Sequence, residues 1–222
     1  MDQRSGRGLV AWRAAILALA AIFWVEQFAH AQMAEFGWQF RFLTIWALTL
    51  SLMYAANAFR LALGLTHHRQ ERLAMVAACV NAIMVTLYWW MRLSDPSALG
   101  PWEGGVRDLY LHAIGPGLQI VDAVFVLGAF GRPIRAVPGL LLTVVAYVAW
   151  IELGVAPLND APIGDVTSGL PYPFLNHMDP GNRATFYVAA ALGGLAFLGA
   201  FHIVFRRVAS LGRDAGGAAP AE

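Results

Sequence analysis

Six runs of about twenty predominantly apolar residues follow one another along this chain of 222 residues. A helix of that length spans ~30 Å, the thickness of the hydrocarbon core of a bilayer. The sequence therefore predicts an all-α integral membrane protein, a six-helix transmembrane bundle that forms one domain over residues 1–208. The predicted helices are 9–28, 41–64, 73–92, 109–130, 138–157 and 183–207, and residues 209–222 are predicted to form a flexible C-terminal tail.

The composition agrees with a membrane protein and excludes several kinds of site. Hydrophobic residues make up 59% of the chain and charged residues 13%, whereas soluble domains carry about 25% charged residues. The chain contains no Lys, which excludes a lysine nucleophile and a Walker A phosphate loop. Its single cysteine, Cys79, excludes an internal disulfide. With a net charge of +1, we predict no nucleic-acid partner, and we predict no cofactor.

The fifteen arginines are distributed unequally between the two sides of the predicted bundle. Eleven, Arg13 among them, fall on the side that carries both termini, and four fall on the opposite side. Because basic residues of short loops stay in the cytoplasm, both termini are predicted to be cytoplasmic. The composition resembles that of bacterial proteins, so we expect a bacterial inner-membrane protein whose three longer loops face the periplasm.

Four polar side chains interrupt the apolar runs, where such groups are costly in lipid. They are Asn57, Asn81, Asp122 and Glu152. We expect a structural role for them, with Asp122 forming an interhelical hydrogen bond to Asn57 or Asn81. A proton or ion site at Asp122 is the alternative.

Three histidines, His30, His112 and His177, are predicted at the outer membrane boundary on separate elements. The chain has no HxxxH or HExxH pair, the spacings that place metal ligands on one face of a helix. We therefore predict no metal site.

Depth in the membrane indicates a possible nucleophile and base. Thr44 lies three residues after Arg41 at the outer start of the second helix, and His112 lies three residues after Leu109 at the outer start of the fourth. If these helices are neighbours, the hydroxyl and the imidazole come within hydrogen-bonding reach, as an activated hydroxyl nucleophile requires. A threonine at this place is more often a cap or a back-bonded structural residue, and that alternative stays open.

Three segments resemble a known family. Residues 171–183, PYPFLNHMDPGNR, are similar to the YPFL-x-H-x-x-PG-x-R signature before the last helix of the androgen-induced, ADTRP-like family of membrane proteins. Residues 42–44, Phe-Leu-Thr, resemble the Leu-Thr of that family's second helix. Residues 111–112, Leu-His, followed by Pro116 and Asp122, resemble its histidine helix. The six-helix layout agrees along the whole chain.

The resemblance implies an activity and its residues. Members of the family are described as multi-pass hydrolases of fatty acid esters of hydroxy fatty acids, with a threonine nucleophile and a histidine. For this chain the resemblance implies Thr44 as nucleophile, His112 as base and a lipid from the bilayer as substrate. Asp108, one turn before His112, is a candidate to orient the imidazole. The candidate oxyanion donors are Asn176, His177 and Arg183 of the last outer loop.

A non-enzymatic six-helix carrier or membrane scaffold is the competing interpretation. A carrier is expected to show inverted repeats and broken helices near the middle of the bilayer. A scaffold needs no contact between Thr44 and His112. The sequence does not predict an oligomeric state.

Overall fold

The computed structural model describes residues 3–29, 35–94, 105–159 and 169–217, and over these residues it contains helices and turns but no strand. Six of the helices are long and apolar enough to cross a bilayer, which confirms the predicted all-α membrane fold. They are α1, Gln3–Ala29; α2, Leu43–Ala62; α3, Glu71–Ser94; α4, Val106–Val126; α5, Pro133–Leu158; and α6, Pro180–Gly217.

The helix ends differ from the predicted ones by one to ten residues; α1 begins at Gln3 instead of residue 9, and α5 begins at Pro133 instead of residue 138. Helix α4 ends at Val126 instead of residue 130, because Gly128 takes a left-handed conformation with φ of 66°. A Cβ atom there would also lie 3.2 Å from Cε2 of Phe205. Helix α6 continues to Gly217, so the first part of the predicted flexible tail, 209–222, is helical. Residues 218–222 lie outside the described residues.

Helix α3 is the centre of the bundle and contacts α2, α4, α5 and α6. Its residues Ala74, Ala77 and Ala78 have no exposed surface. Such small side chains let neighbouring helices approach closely, which is how helices gain packing energy in a bilayer. Helices α5 and α6 instead carry exposed leucines, Leu142 and Leu192 for example, on their outer surfaces. These are the faces that we expect lipid to cover.

The described helices contain three π-helical segments, in which each backbone hydrogen bond spans one residue more than in an α-helix. They are Tyr110–Ile114 and Asp122–Val126 in α4 and Trp150–Val155 in α5. Each segment contains one ionisable side chain that the sequence analysis singled out, namely His112, Asp122 or Glu152. Single π turns inside α-helices often occur at functional sites.

Asp122 has a basic partner, which the sequence analysis did not predict. Its side chain is 1% exposed, and its Oδ1 accepts hydrogen bonds from Trp12 Nε1 at 2.9 Å and from Arg13 Nε at 3.3 Å. Tyr54 donates its hydroxyl to Oδ2. Arg13 also donates to the backbone carbonyl of Ala58 at 3.1 Å. We call Trp12, Arg13, Tyr54 and Asp122 the Asp122 cluster.

The expected hydrogen bond from Asp122 to Asn57 or Asn81 is not formed in the described part of the chain. Helix α1 packs against α2 and α4 and brings Arg13 to Asp122 instead. Asn81 faces another direction, with its Nδ2 2.7 Å from Ser51 Oγ and 3.2 Å from Gln119 Oε1. These bonds join α2, α3 and α4. Asn57 is also buried.

Candidate active site

Hydrogen bonds from neighbouring elements fix the start of α2, where Thr44 lies. The backbone N–H of Leu43 donates to the hydroxyl oxygen of Tyr172 at 3.0 Å, and Tyr147 donates its hydroxyl to the carbonyl of Arg41 at 3.0 Å. The first amides of a helix have no partner within it, so Tyr172 satisfies one of them. Burial raises the pKa of Tyr172. Thr44 is thereby held in the first turn of α2.

A proline and a glycine shape α4 around His112. Pro116 has no N–H, so the carbonyl of His112, four residues earlier, loses its α-helical donor. Trp89 Nε1 of α3 donates to that carbonyl at 2.9 Å. Glycine is required at Gly115, because a Cβ atom there would lie 2.9 Å from Cζ of Tyr110. The widened turn therefore has local causes, and it directs the imidazole toward α2.

Thr44 and His112 come together in the structure. Thr44 Oγ1 lies 3.4 Å from His112 Nε2. On the other side of the ring, His112 Nδ1 lies 3.0 Å from Asp108 Oδ1 and 3.1 Å from the Asp108 carbonyl oxygen. Both neighbours of Nδ1 are acceptors, which assigns the proton to Nδ1. The unprotonated Nε2 then faces the threonine hydroxyl, as a general base must.

Tyr88 of α3 holds this arrangement from the side. Its ring stacks on the imidazole of His112, with ring centroids 3.6 Å apart and an angle of 6° between the planes. Its hydroxyl donates to Asp108 Oδ2 at 2.5 Å. Both carboxylate oxygens of Asp108 are thus engaged. The sequence analysis missed Tyr88, because its contacts depend on how α3 packs beside α4, which spacing along the chain does not reveal.

A cavity of about 540 Å³ opens beside Thr44 and His112 and is lined by side chains of all six helices. This size lies within the ~300–1,000 Å³ typical of small-molecule sites. Most of the lining is apolar, and it includes Leu43, Ile83, Met84, Leu87, Val144 and Ile151. The charged side chains in the lining are Arg92, Arg107 and Asp108. The cavity therefore suits an amphiphilic molecule with a long apolar part.

The segment 171–175 forms part of the cavity wall. It includes the start of a short helix, Pro173–Asn176, and Phe174 packs edge to face against Trp90 and Phe186. Asn176 bonds to the backbone of Leu170, accepting from its N–H at 3.1 Å and donating to its carbonyl at 3.0 Å. The side-chain amide of Asn176 thus holds the loop between residues 170 and 176.

The other two candidate oxyanion donors also lie elsewhere. Arg183 Nε donates to Glu152 Oε1 at 2.9 Å, and Tyr187 donates its hydroxyl to the same oxygen at 2.7 Å. Glu152 thereby joins α5 to α6. His177 is exposed. Among the described residues that line the cavity, Asn176, His177 and Arg183 do not appear. Of the four proposed supporting residues, only Asp108 contacts His112.

The described residues contain no group of three or more His, Cys, Asp or Glu side chains that could hold a metal ion. His30, which the sequence analysis also considered as a metal ligand, lies outside the described residues.

Comparison with known protein families matches residues 8–204 to the FAR-17a/AIG1-like proteins, the family of the androgen-induced and ADTRP proteins. The chain belongs to this family. The match begins in α1 and ends in α6, so it includes Thr44, His112 and the segment 171–183. No curated protein and no solved structure matches the chain. Family membership and the six apolar helices together make it an integral multi-pass membrane protein.

Proposed function

We propose that this member of the FAR-17a/AIG1-like family is a membrane-embedded hydrolase of lipid carboxylic esters, with Thr44 as nucleophile and His112 as general base. The observation that carries the proposal is the distance of 3.4 Å between Thr44 Oγ1 and His112 Nε2 at the wall of an apolar cavity. A back-bonded structural threonine does not need an imidazole at its hydroxyl. The family likeness supports the same two residues.

The first half of the reaction transfers the acyl group to the enzyme. Nε2 of His112 takes the proton of Thr44 Oγ1 as that oxygen attacks the ester carbonyl carbon. The carbon–oxygen bond of the ester then breaks, and His112 returns the proton to the departing alcohol. The acyl group remains on Thr44. Asp108 keeps the imidazole in the required tautomer and faces the positive charge that develops on it.

The second half releases the acid. His112 takes a proton from water, and the resulting hydroxide attacks the acyl-threonine carbonyl. The bond to Oγ1 breaks, and the proton on His112 returns to Thr44. In both halves negative charge develops on the carbonyl oxygen of the acyl group, next to Thr44 in the first turn of a helix of 20 residues. The positive end of the α2 dipole therefore stabilises both transition states.

The lining of the cavity supports a lipid substrate. Helices α2, α3 and α5 contribute aliphatic side chains that can enclose an acyl chain, while the reacting pair lies near the end at which α2 and α4 begin. Fatty acid esters of hydroxy fatty acids, the substrates that the family resemblance implies, combine such chains with an internal ester. We therefore take esters of this type as the first substrates to test.

The test uses purified protein, a fluorophosphonate probe and a fatty acid ester of a hydroxy fatty acid. We expect Thr44→Ala and His112→Ala each to abolish labelling and ester turnover, and mass spectrometry to find the probe on Thr44 of the wild type. Thr143→Ala is the matched control, because Thr143 also lines the cavity but donates its hydroxyl to the carbonyl of Gly139 at 2.8 Å. Labelling and turnover that survive Thr44→Ala would contradict the mechanism. Wild-type protein that shows neither probe labelling nor ester turnover would favour the interpretation as a non-enzymatic scaffold.

We also propose that the cavity faces the periplasm of a bacterial inner membrane, with both termini in the cytoplasm. The arginine distribution supports this orientation. In a Cys79→Ala background, which removes a buried thiol, we expect His177→Cys to react with an impermeant maleimide in spheroplasts and Gln70→Cys to react only after lysis. Both positions are exposed and lie at opposite ends of the bundle. The reverse pattern would invert the orientation.

A further inference from the structure

Two hydrogen-bond donors lie side by side in the cavity wall, apart from the reacting pair. Gln27, near the end of α1, is 5% exposed, and Arg107 belongs to the first turn of α4. Nη2 of Arg107 donates to Oε1 of Gln27 at 3.4 Å, and both side chains line the cavity. Neither residue takes part in the chemistry proposed for Thr44 and His112.

The guanidinium fixes which way the Gln27 amide points. If the amide were turned over, its NH₂ group would face the donors of Arg107, so the oxygen must be on that side. Within the described residues, Nε2 of Gln27 and Nε of Arg107 are both buried and have no hydrogen-bond partner. Buried donors in folded proteins are normally paired, and an unpaired one is costly. Two of them beside one cavity indicate that a ligand supplies the acceptor.

The charges around the cavity indicate which acceptor this is. Arg107 lines it, and the single carboxylate in the described lining, Asp108, is engaged by His112 and Tyr88. The rest of the described lining is largely apolar, so it offers the Arg107 guanidinium few acceptors. A ligand that carries a negatively charged oxygen group provides an acceptor for the unused donors and pairs with the charge of Arg107.

The position of the donors relative to the reacting pair defines how such a ligand lies. Arg107 precedes His112 by five positions on α4. At 1.5 Å per residue, this places Arg107 about 7 to 8 Å nearer the membrane surface than His112. A charged head group at Gln27 and Arg107 would thus leave the apolar part of the ligand to pass Thr44 toward the aliphatic lining.

We propose that Gln27 and Arg107 form a binding site for an anionic oxygen group, a carboxylate or a phosphate, on the amphiphile that occupies the cavity. This deepens the proposed function, on which it rests for the identity of the amphiphile as substrate, by assigning a place in the cavity to the free carboxylate that a fatty acid ester of a hydroxy fatty acid carries. Binding itself needs no hydrolysis, so the two ideas can be tested separately.

The experiment measures binding to purified Thr44→Ala protein, which has no proposed nucleophile, in an uncharged detergent. Tritiated palmitate and tritiated methyl palmitate share one chain and differ in the head group. At a pH where palmitate is ionised, we expect it to bind at least about tenfold more tightly than the methyl ester, as charge-assisted hydrogen bonds require. Equal affinities would overturn the proposal, and this comparison needs no further variant.

Competition with palmitate distinguishes the sources of the anion. If the site accepts a phosphate head group, monohexadecyl phosphate should displace the labelled palmitate at least as well as unlabelled palmitate does. If the site prefers a carboxylate, monohexadecyl phosphate should displace it less well. Either result supports a site for the head group. Inorganic phosphate should be a far weaker competitor. Displacement by inorganic phosphate at the same concentrations as the lipids would overturn the assignment to a lipid head group.

Variants locate the site. Gln27→Met keeps the length of the side chain but removes its donors, and Arg107→Gln removes the charge; each should weaken palmitate binding about tenfold or more without weakening methyl palmitate. Arg72→Gln is the matched control, because it removes the same charge from an exposed position at the far end of α3. If Gln27→Met and Arg107→Gln both bind palmitate as tightly as the parent protein, the assignment of the site to Gln27 and Arg107 is wrong. Failure of the hydrolase proposal would appear instead as wild-type protein without turnover or probe labelling.

Discussion

Helix α4 carries two polar sites that contain similar residue types. They differ in the partners of their side chains and in whether a cavity adjoins them. In the Asp122 cluster, the carboxylate receives donors from Trp12, Arg13 and Tyr54 and is 1% exposed. At the other site, Asp108 is bonded to Tyr88 and to His112, whose Nε2 faces Thr44 and a cavity of about 540 Å³. Each site combines an acid, an aromatic hydroxyl and a nitrogen donor in or beside a π segment.

The difference offers a way to distinguish a structural polar cluster from the reactive site that we propose. A buried acid whose two oxygens both accept hydrogen bonds from protein side chains has its partners within the protein, and these hydrogen bonds join helices. A base whose free lone pair faces a hydroxyl at a cavity wall can exchange a proton with a substrate. The residue types alone do not separate the two cases; the partners and the adjoining space do.

The largest effect that tests this comparison is expected at Asp122. Asp122→Asn leaves Arg13 buried in the bundle without a counter-charge, and removing one partner of a buried ion pair costs about 3–5 kcal/mol. We expect a lower temperature of thermal unfolding in detergent, while the folded fraction keeps its ester turnover per molecule. The measurement pairs a thermal melt with an activity assay on monodisperse protein.

The control for Asp122→Asn removes both charges. Asp122→Asn combined with Arg13→Gln leaves no buried unpaired charge, so the double variant should recover part of the lost stability. An Asp122→Asn protein that unfolds at the wild-type temperature but has lost its turnover would show that the cluster is functional rather than structural.

Much of the candidate site could be predicted from the sequence, because depth along a helix follows from counting residues. Thr44 and His112 each lie three residues after the predicted starts of their helices, residues 41 and 109, and this was enough to place them at the same level, although the structure begins α2 at Leu43 and α4 at Val106. Their contact further required α2 and α4 to be neighbours with the right faces together. The apolar runs do not determine that lateral arrangement, so the contacts of Tyr88 and Gln27 could not be predicted.

The partner of Asp122 was missed for a different reason. Arg13 was interpreted as one of the arginines that set the orientation, although it stands inside the first apolar run and is 3% exposed in the structure. A buried arginine in a membrane helix requires an acceptor or an acid at a similar depth, and that rule would have pointed to Asp122. Without Arg13, ten arginines instead of eleven support the predicted orientation, against the same four.

At the proposed reactive site the expected effect of removing the acid, Asp108, is smaller than at Asp122 and concerns the rate of turnover, not stability. Asp108→Asn removes the charge that faces the imidazolium, and the asparagine NH₂ group can turn toward Nδ1 and favour the wrong tautomer. The backbone carbonyl of Asp108, 3.1 Å from Nδ1, still favours the correct one. We therefore expect turnover to fall about 10- to 1,000-fold, less than the ~10⁴-fold known for a triad aspartate.

Steady-state kinetics with a lipid ester would measure the effect of Asp108→Asn. Glu71→Gln at the far end of α3 is the control for loss of a carboxylate, and its turnover should be unchanged. If Asp108→Asn hydrolyses the ester at the wild-type rate, the carboxylate does not orient His112, and the two acids of α4 would both be structural.

The smallest effect is expected at Tyr88, whose ring and hydroxyl can be separated. Tyr88→Phe keeps the ring that stacks on His112 but removes the hydrogen bond to Asp108 Oδ2. A lost hydrogen bond of ordinary strength lowers kcat about 3- to 10-fold, and KM should stay constant because Tyr88 acts through Asp108. Tyr88→Leu also removes the stacked ring and should be slower than Tyr88→Phe. Tyr110→Phe, a buried tyrosine that stacks on Phe23 instead, is the matched control and should leave kcat unchanged. A Tyr88→Phe protein with normal kcat and raised KM would instead mean that the hydroxyl contacts the substrate, and the orientation of His112 would then rest on Asp108 and the helix backbone.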